Sequence, residues 1–346
     1  MVALLATSCG HSAPEGAPRT TVELALPVTT PLTIPPTIAP STTVPVPSPG
    51  WTVASSGPRG ITAEVRTVTS PAGRSVVVAR FPATTTALHL HLGSEDPPGG
   101  LAEVPPDAGN AVATTNAESS LLVAAFNGGF KVDAGAGGIL ADGTTVTPLV
   151  QGTASALIDA RGTLRIGPWG TLSVPEGDRV VSVRQNLPML VDGGRPTPLA
   201  LSGPGPWGSV LGPDPVVARS ALGVDAAGDV YFAGSMHVLP SDLAQVLASL
   251  GVVRAMQLDM NPYWVTLGTT SAPGGSLVSQ IPGETNPASI FSSGWTRDFF
   301  TVVARPPRSC HLRFPGPPDV PGPAAATVAC GPQHVATATL PRMTWP

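Results

Sequence analysis

The stretch Ala125-Phe126-Asn127-Gly128-Gly129-Phe130 takes the chain from an apolar segment into a polar amide and a Gly-Gly turn. Glycine lets a backbone approach a ligand closely because it has no Cβ. Two further stretches follow in order, Arg219-Ser220-Ala221-Leu222-Gly223-Val224 and Met256-Gln257-Leu258-Asp259-Met260-Asn261. An arginine offers a planar fork to a phosphate or carboxylate, and an aspartate can attack or deprotonate. The amide, the guanidinium and the carboxylate are therefore the candidate catalytic groups.

The composition indicates one globular domain with disordered flanks. Of the 346 residues, 42% are hydrophobic and only 12% are charged, which is ample material for a core. The 42 prolines and 39 glycines are unevenly placed, which argues against two full domains. A net charge of -4 gives no polybasic signature, so nucleic acid is not an expected partner.

The chain begins with a short apolar run that ends at Cys9. Residues 1–9 look like the last part of a lipoprotein signal in which Cys9 is lipidated, although the charged region expected of a signal peptide is missing. The alternative is a frayed apolar terminus with an incidental cysteine. The lipoprotein interpretation predicts an extracytoplasmic protein that is anchored to the cell membrane and faces the cell wall.

Residues 10–50 are predicted to be a disordered stalk. The part from 27 to 49 carries eight prolines among threonines and valines and has no charged residue. Proline lacks a donor and fixes φ, so this part is expected to run as polyproline II. At a rise of about 3.1 Å per residue it would span roughly 70 Å. A spacer of no specific length is the alternative.

The two remaining cysteines lie in a Pro/Gly-rich tail, residues 305–346. In an exported protein Cys310 and Cys330 are expected to pair as a structural disulfide. A zinc site is not expected, because His311 and His334 have the wrong spacing for one.

Between stalk and tail, residues 51–304 are predicted to be the functional domain, built mainly from short strands. Strands are predicted at 75–81 and 87–92, hairpins with turns at 159–162 and 226–228, and a strand at 252–258 that places Asp259 at its exit. Helices are predicted from Asn116 to Ala125 and from Ser241, as a serine cap, to Gly251. This pattern predicts an α+β fold with mostly antiparallel or mixed sheet and a few flanking helices.

The ordered trio Asn127, Arg219 and Asp259 resembles the pattern of the phosphodiester glycosidase family over roughly residues 75 to 304. The resemblance implies a catalytic role for these three residues and a role as backbone ligands for Gly128 and Gly129. Without the family resemblance, Asn127 would be interpreted as a turn residue and Arg219 as a solvent-exposed arginine. Apolar neighbours place Arg219 at the edge of a core, where it needs an anionic partner, either a substrate phosphate or Asp259.

The residues after Asp259 depart from the family, in which a glycine-rich turn and a serine follow the aspartate. Met260 and Pro262 replace those glycines. Asn261 is expected on the same face as Asp259. Tyr263 and Trp264 are candidates for stacking on a sugar, with packing as the equal alternative.

The histidines are further candidates. His89 and His91 share one face of their strand, but no third metal ligand lies at a sequence spacing typical of a metal site. They are therefore assigned to the polar face of an amphipathic strand. No metal or other cofactor is expected. His237 is expected in a loop from which it could reach the pocket as a proton shuttle.

The leaving group determines which catalytic groups the reaction needs. Ordinary glycosidases need two carboxylates because the departing alkoxide needs a proton, whereas a sugar-1-phosphodiester leaves as a phosphate monoester, a weak base. One carboxylate and one cation then suffice. The sequence thus predicts a hydrolase for a sugar-1-phosphodiester in a wall or exopolysaccharide glycan. The alternative is a non-catalytic glycan-binding or envelope-organising lipoprotein with the same fold.

Overall fold

The computed structural model describes residues 47–93, 95–96, 117–210, 212–293, 296–314, 326–330 and 338–339. Cys9 and nearly all of the predicted stalk lie outside these residues, so the predictions made for them stay predictions. Residues Pro45–Pro346 form one compact unit.

Strands dominate the described residues. In chain order they are β1 Thr52–Gly57, β2 Gly60–Thr69, β3 Ser75–Phe81, β4 Thr86–His91, β5 Leu122–Asn127, β6 Ile139–Ala141, β7 Thr144–Thr147, β8 Ala154–Asp159, β9 Leu164–Pro168, β10 Val180–Gln185, β11 Met189–Asp192, β12 Arg195–Pro196, β13 Val217–Asp225, β14 Val230–Val238, β15 Val252–Gln257, β16 Leu267–Thr269, β17 Val278–Ser279, β18 Phe299–Ala304, β19 Cys310–Arg313, β20 Thr327–Cys330 and β21 Ala338–Thr339. The α-helices are α1 Ala117–Leu121, α2 Pro198–Leu201, α3 Pro240–Ser249 and α4 Ile290–Ser293.

The strands form four sheets. Their orders are β1-β2-β3-β14-β13-β15-β11-β12, β7-β6-β10-β8-β9, β17-β16-β5-β18-β4 and β19-β20-β21. Neighbouring strands pair antiparallel, for example β13 with both β14 and β15. A mostly antiparallel β-structure with few helices agrees with the predicted class in its broad outline. Within the described residues, no helix has the length and apolar character needed to cross a bilayer.

The predicted helix from Asn116 to Ala125 is wrong in its last four residues, 122–125. Helix α1 ends at Leu121, and the next six residues form β5, which pairs with β16 and β18. Every residue of β5 is buried. Because a strand covered on both faces has a continuous apolar sequence, its local pattern does not distinguish it from a buried helix.

The two hairpins and the long helix agree with the sequence. Gly162 and Gly228 adopt φ values of 72° and 87°, the left-handed conformation that these turns require. Helix α3 begins at Pro240, and its cap differs from the predicted serine: the Asp242 carboxylate accepts the Leu239 N–H at 2.7 Å. Gly251 follows the helix at φ 86°.

The tail packs on the rest of the unit through a disulfide-closed hairpin. Cys310 and Cys330 face each other across β19 and β20 and are bonded, as predicted. Leu312 and Phe314 bury their side chains against Ala87, Val181 and Val303. The hairpin therefore contributes apolar surface to the core.

Candidate active site

The ends of β5 and β15 lie beside Ser220 of β13 at the centre of this site. Asn127, the last residue of β5, donates from Nδ2 to Ser220 Oγ at 2.8 Å. Ser220 Oγ in turn accepts the Asp259 N–H at 3.2 Å, and the Ser220 N–H donates to the Asp259 carbonyl at 2.8 Å. The structure thus joins Asn127 to Asp259 through a serine of β13, with all three residues buried.

The Asp259 carboxylate is held by three donors. Oδ1 accepts the N–H groups of Met260 at 2.6 Å and Asn261 at 2.8 Å, and Oδ2 lies 2.8 Å from Arg297 Nη1. Burial raises the pKa of Asp259, and the neighbouring Asp298 raises it further, while Arg297 and the two N–H groups act against this rise. A buried carboxylate with a raised pKa is a group suited to proton transfer.

Arg219 lies apart from that carboxylate. Strand neighbours point to opposite faces, so Arg219 faces away from Ser220. Its Nη1 donates to the Trp207 carbonyl at 2.8 Å and to Gln257 Oε1 at 3.2 Å, and it contacts Met260 Sδ at 3.7 Å. The sequence left two anionic partners open for Arg219, a substrate phosphate or Asp259. Asp259 is not that partner, since its carboxylate pairs with Arg297.

Two nitrogens of Arg219, Nε and Nη2, are buried and have no hydrogen-bond partner among the described residues. Burial lowers the pKa of Arg219 to about 10. A buried guanidinium without a carboxylate is costly, and an anionic ligand would offset that cost.

The glycines after Asn127 make room for an ion pair. The Gly128 N–H donates to the Asp298 carbonyl at 2.9 Å and the Gly129 N–H to Asp298 Oδ2 at 3.2 Å. A Cβ at Gly128 would collide with the Asp298 carboxylate, and one at Gly129 with the Arg184 guanidinium. Both amides already have acceptors within the protein, so in this structure they face Asp298.

Four charged residues at the site were not predicted from the sequence: Asp96, Arg184, Arg297 and Asp298. Arg184 binds Asp298 through Nε at 2.8 Å and Nη2 at 3.0 Å, with both side chains buried. Arg297 Nη2 donates to the Gly129 carbonyl at 2.7 Å. For Arg297 and Asp298 the sequence offered one signal, an Arg-Asp pair directly before the apolar strand β18 in a chain with few charges, and it offered none for Asp96 or Arg184.

A cavity of about 170 Å³ opens beside Arg297. Its lining is polar, and consists of Glu95, Asp96, Lys131, Asp133, Trp264, Thr296 and Arg297. Burial raises the pKa of Asp96, whose Oδ2 lies 3.8 Å from Arg297 Nε. Arg297 therefore lies between two buried carboxylates, Asp259 and Asp96, and borders a space that a small polar ligand can enter.

The three residues predicted to bind substrate after Asp259 differ in exposure. Trp264 lines the cavity and packs under Arg297, with the guanidinium carbon 5.1 Å from the ring centroid. Tyr263 is 59% exposed, so its ring is open to a ligand from solvent. Asn261 is exposed, and its Oδ1 accepts the Tyr263 N–H at 3.0 Å.

His237 differs from its predicted loop position. It belongs to β14, near the end of that strand, and its side chain is exposed. No hydrogen bond or ion pair in the described part of the chain joins it to Asp259 or Arg297. A proton-shuttle role for His237 therefore has no support from contacts.

His89 and His91 also differ from expectation. Both are buried, at 4% exposure, instead of lying on a solvated polar face. Their partner is Glu118 of α1, which is 27 residues from His91 in sequence. The sequence spacing gave no sign of this third group, because α1 and β4 meet only in the folded chain.

Asn127, Ser220, Arg219 and Asp259 lie within the segment that is recognisable by sequence. Residues 120–259 match the model of the phosphodiester glycosidase family. The predicted resemblance is confirmed over this segment. The matched segment contains Asn127 and Arg219 and ends at Asp259, whereas Arg297 and Asp298 lie beyond it.

Two solved structures are similar to this chain. The first is the catalytic domain of zebrafish N-acetylglucosamine-1-phosphodiester alpha-N-acetylglucosaminidase, auto-inhibited by its pro-peptide, at 18% identity and a TM-score of 0.45, covering 74% of this chain and 88% of that one. The second is a hypothetical protein from Synechocystis, at 13% identity and a TM-score of 0.41, covering 70% and 62%. No curated protein gives a significant match to the sequence.

Proposed function

We propose that this protein hydrolyses a sugar-1-phosphodiester in a cell-envelope glycan. The proposal rests on one observation: a buried aspartate with a raised pKa, Asp259, ends the segment that matches the phosphodiester glycosidase family. It is supported by the polar cavity beside Arg297 and by the two unpaired nitrogens of Arg219. A glycan-type substrate follows from the same family match.

In the proposed reaction, Asp259 accepts a proton from water as the water oxygen attacks the anomeric carbon. The bond between that carbon and the phosphate oxygen breaks, and the electron pair leaves with the phosphate monoester. Because this leaving group is a weak base, the step needs a cation beside the phosphate more than it needs a strong acid. Arg297, which lines the cavity and pairs with Asp259, would supply that charge.

The test is an assay of the full chain on a panel of sugar-1-phosphodiesters, in which free sugar and phosphate monoester are both quantified. Release of the two products in equal amounts supports the proposal. Release of neither from any member of the panel, by protein that binds the same compounds, argues for the second function.

The second candidate function is a glycan-binding protein without catalysis. Met260 favours this non-catalytic function, because the Met260 sulfur lies 3.7 Å from Arg219 Nη1 and Arg219 is fully buried. A substrate phosphate reaches Arg219 only if the Met260 side chain moves.

Met260→Gly is expected to increase the affinity for inorganic phosphate about tenfold, since displacing a packed methionine costs on the order of 1.5 kcal/mol. Calorimetric titration measures this change. Met260→Leu, which keeps the volume, is the matched control and is expected to bind phosphate as the wild type does. Equal affinity in all three proteins would remove Arg219 from the phosphate site.

The proposed location is the outer face of the cell membrane, held by a lipid on Cys9. Its support is the apolar run that ends in this cysteine and the uncharged proline-rich segment that follows. Radiolabelled fatty acid is expected to enter the wild-type protein in its host and not the Cys9→Ser variant. Labelling of both proteins, or of neither, would contradict the anchor.

A further inference from the structure

A buried cluster of two histidines and a glutamate lies outside the proposed catalytic groups. His89 Nδ1 is 3.1 Å from Glu118 Oε2, and His91 Nε2 is 2.8 Å from Glu118 Oε1. The three ligand atoms lie within 4.8 Å of one another. Two imidazole nitrogens and a carboxylate oxygen converging on one point form a typical ligand set for a divalent transition metal.

The orientation of each imidazole fits metal binding. The His89 ring stacks on Phe314 with centroids 4.6 Å apart, and the His91 ring stacks on Phe299 at 4.8 Å. The two imidazole centroids are 4.5 Å apart, with the rings tilted by 70°. Aromatic packing thus fixes both rings so that Nδ1 of one and Nε2 of the other face the same carboxylate.

The groups behind the cluster match the outer shell of a metal site. His89 Nε2, the nitrogen that faces away from Glu118, lies 3.2 Å from Asp142 Oδ1. Metal-binding histidines commonly give their second N–H to a carboxylate in this way. The Thr301 hydroxyl donates to Glu118 Oε1 at 2.6 Å, which holds the carboxylate in place.

The cluster lies next to a partly exposed turn and has a suitable size. The Asp142 side chain, in the turn between β6 and β7, is 35% exposed, and its carboxylate contacts the buried His89. In a tetrahedral zinc site with bonds of about 2.0–2.1 Å, neighbouring ligand atoms are roughly 3.3 Å apart. The observed separations from Glu118 are a few tenths of an ångström shorter, so a small outward movement of Glu118 would admit the ion.

We propose that His89, His91 and Glu118 bind one divalent cation of the zinc class, with Asp142 orienting His89. One such ion replaces the two protons shared with Glu118 and so keeps the buried carboxylate compensated. The nitrogen ligands select zinc or cobalt over magnesium and calcium, which prefer oxygen. The ion would tie α1 to the β4–β18 pair and stand apart from the proposed hydrolysis.

The experiment is a titration of the full chain, stripped with EDTA and dialysed, with Co²⁺, followed by visible absorption and then by displacement with Zn²⁺. One equivalent of Co²⁺ is expected to bind, and Zn²⁺ is expected to bleach its absorption. Glu118→Gln is expected to lower the affinity by more than about 100-fold and Asp142→Asn by about 10–100-fold. His311→Gln, at an exposed histidine, is the matched control and is expected to bind as the wild type does.

Asp142→Asn lies at a partly exposed turn and keeps the test decisive if Glu118→Gln does not fold. Failure of the wild type to take up one equivalent of Co²⁺ overturns the proposal. Equal binding by the wild type, Glu118→Gln and Asp142→Asn also overturns it. Either result leaves the cluster as a hydrogen-bonded ion pair that secures α1.

Discussion

Asp259→Asn is expected to reduce turnover of a sugar-1-phosphodiester by about 10²–10⁴-fold, the usual contribution of a general base. The amide is nearly isosteric with the carboxylate, and Arg297 keeps Asp96 as a carboxylate neighbour at 3.8 Å, so the fold is expected to persist. Steady-state kinetics measure the loss, and circular dichroism checks the fold. Asp192→Asn, at an exposed aspartate, is the matched control and is expected to leave turnover unchanged.

The pH profile of the wild type provides a second readout of the same group. Because burial raises the pKa of Asp259, the ionised form that accepts the proton disappears at a higher pH than for an ordinary aspartate. Activity is therefore expected to fall as the pH falls through this raised pKa, with the acid limb above the usual value of 3.8. Full activity maintained down to pH 3.8 would contradict the role of Asp259 as the base.

Asp298→Asn is expected to destabilise the protein by about 3–5 kcal/mol, because it leaves the Arg184 guanidinium buried without its counter-charge. The bidentate pair has oxygen–nitrogen distances of 2.8 Å and 3.0 Å, and both side chains are at most 1% exposed. Urea unfolding followed by circular dichroism measures the change in the free energy of unfolding.

The surface pair of Arg254 and Asp192 is the control for this prediction. Its side chains are 39% and 48% exposed, so Arg254→Gln is expected to cost less than about 1 kcal/mol. A loss of similar size at both pairs would contradict the special role assigned to burial. A double variant, Arg184→Gln with Asp298→Asn, is expected to cost less than the sum of its two single changes, since neither charge is then left alone.

Local signals in the sequence were sufficient for several elements. The turn glycines Gly162 and Gly228 marked hairpins, and periodic leucines marked the helix that became α3. The strand leading to Asp259 and the pairing of Cys310 with Cys330 were also correct. Each of these features depends on residues close in sequence or on the small number of cysteines, so little tertiary information was needed.

The errors occurred where distant strands determine the outcome. Residues 122–127 form β5 because β16 and β18 pair with them, and those partners are more than 130 residues away. His237 lies in β14 because that strand continues along β13 as far as Val238. A strand covered on both faces owes its stability to its neighbours, which the local pattern does not contain.

By itself, the sequence determined the sheet-rich domain, its hairpins, the disulfide and the family trio of an amide, an arginine and an aspartate. Only the tertiary structure decided which charges meet. It pairs Asp259 with Arg297 instead of Arg219, places Asp298 against Arg184 across 114 residues, and brings Glu118 to the two histidines. Buried charges must find compensation, but the partner is selected by the register of the sheets, since strands far apart in sequence become neighbours only when they fold.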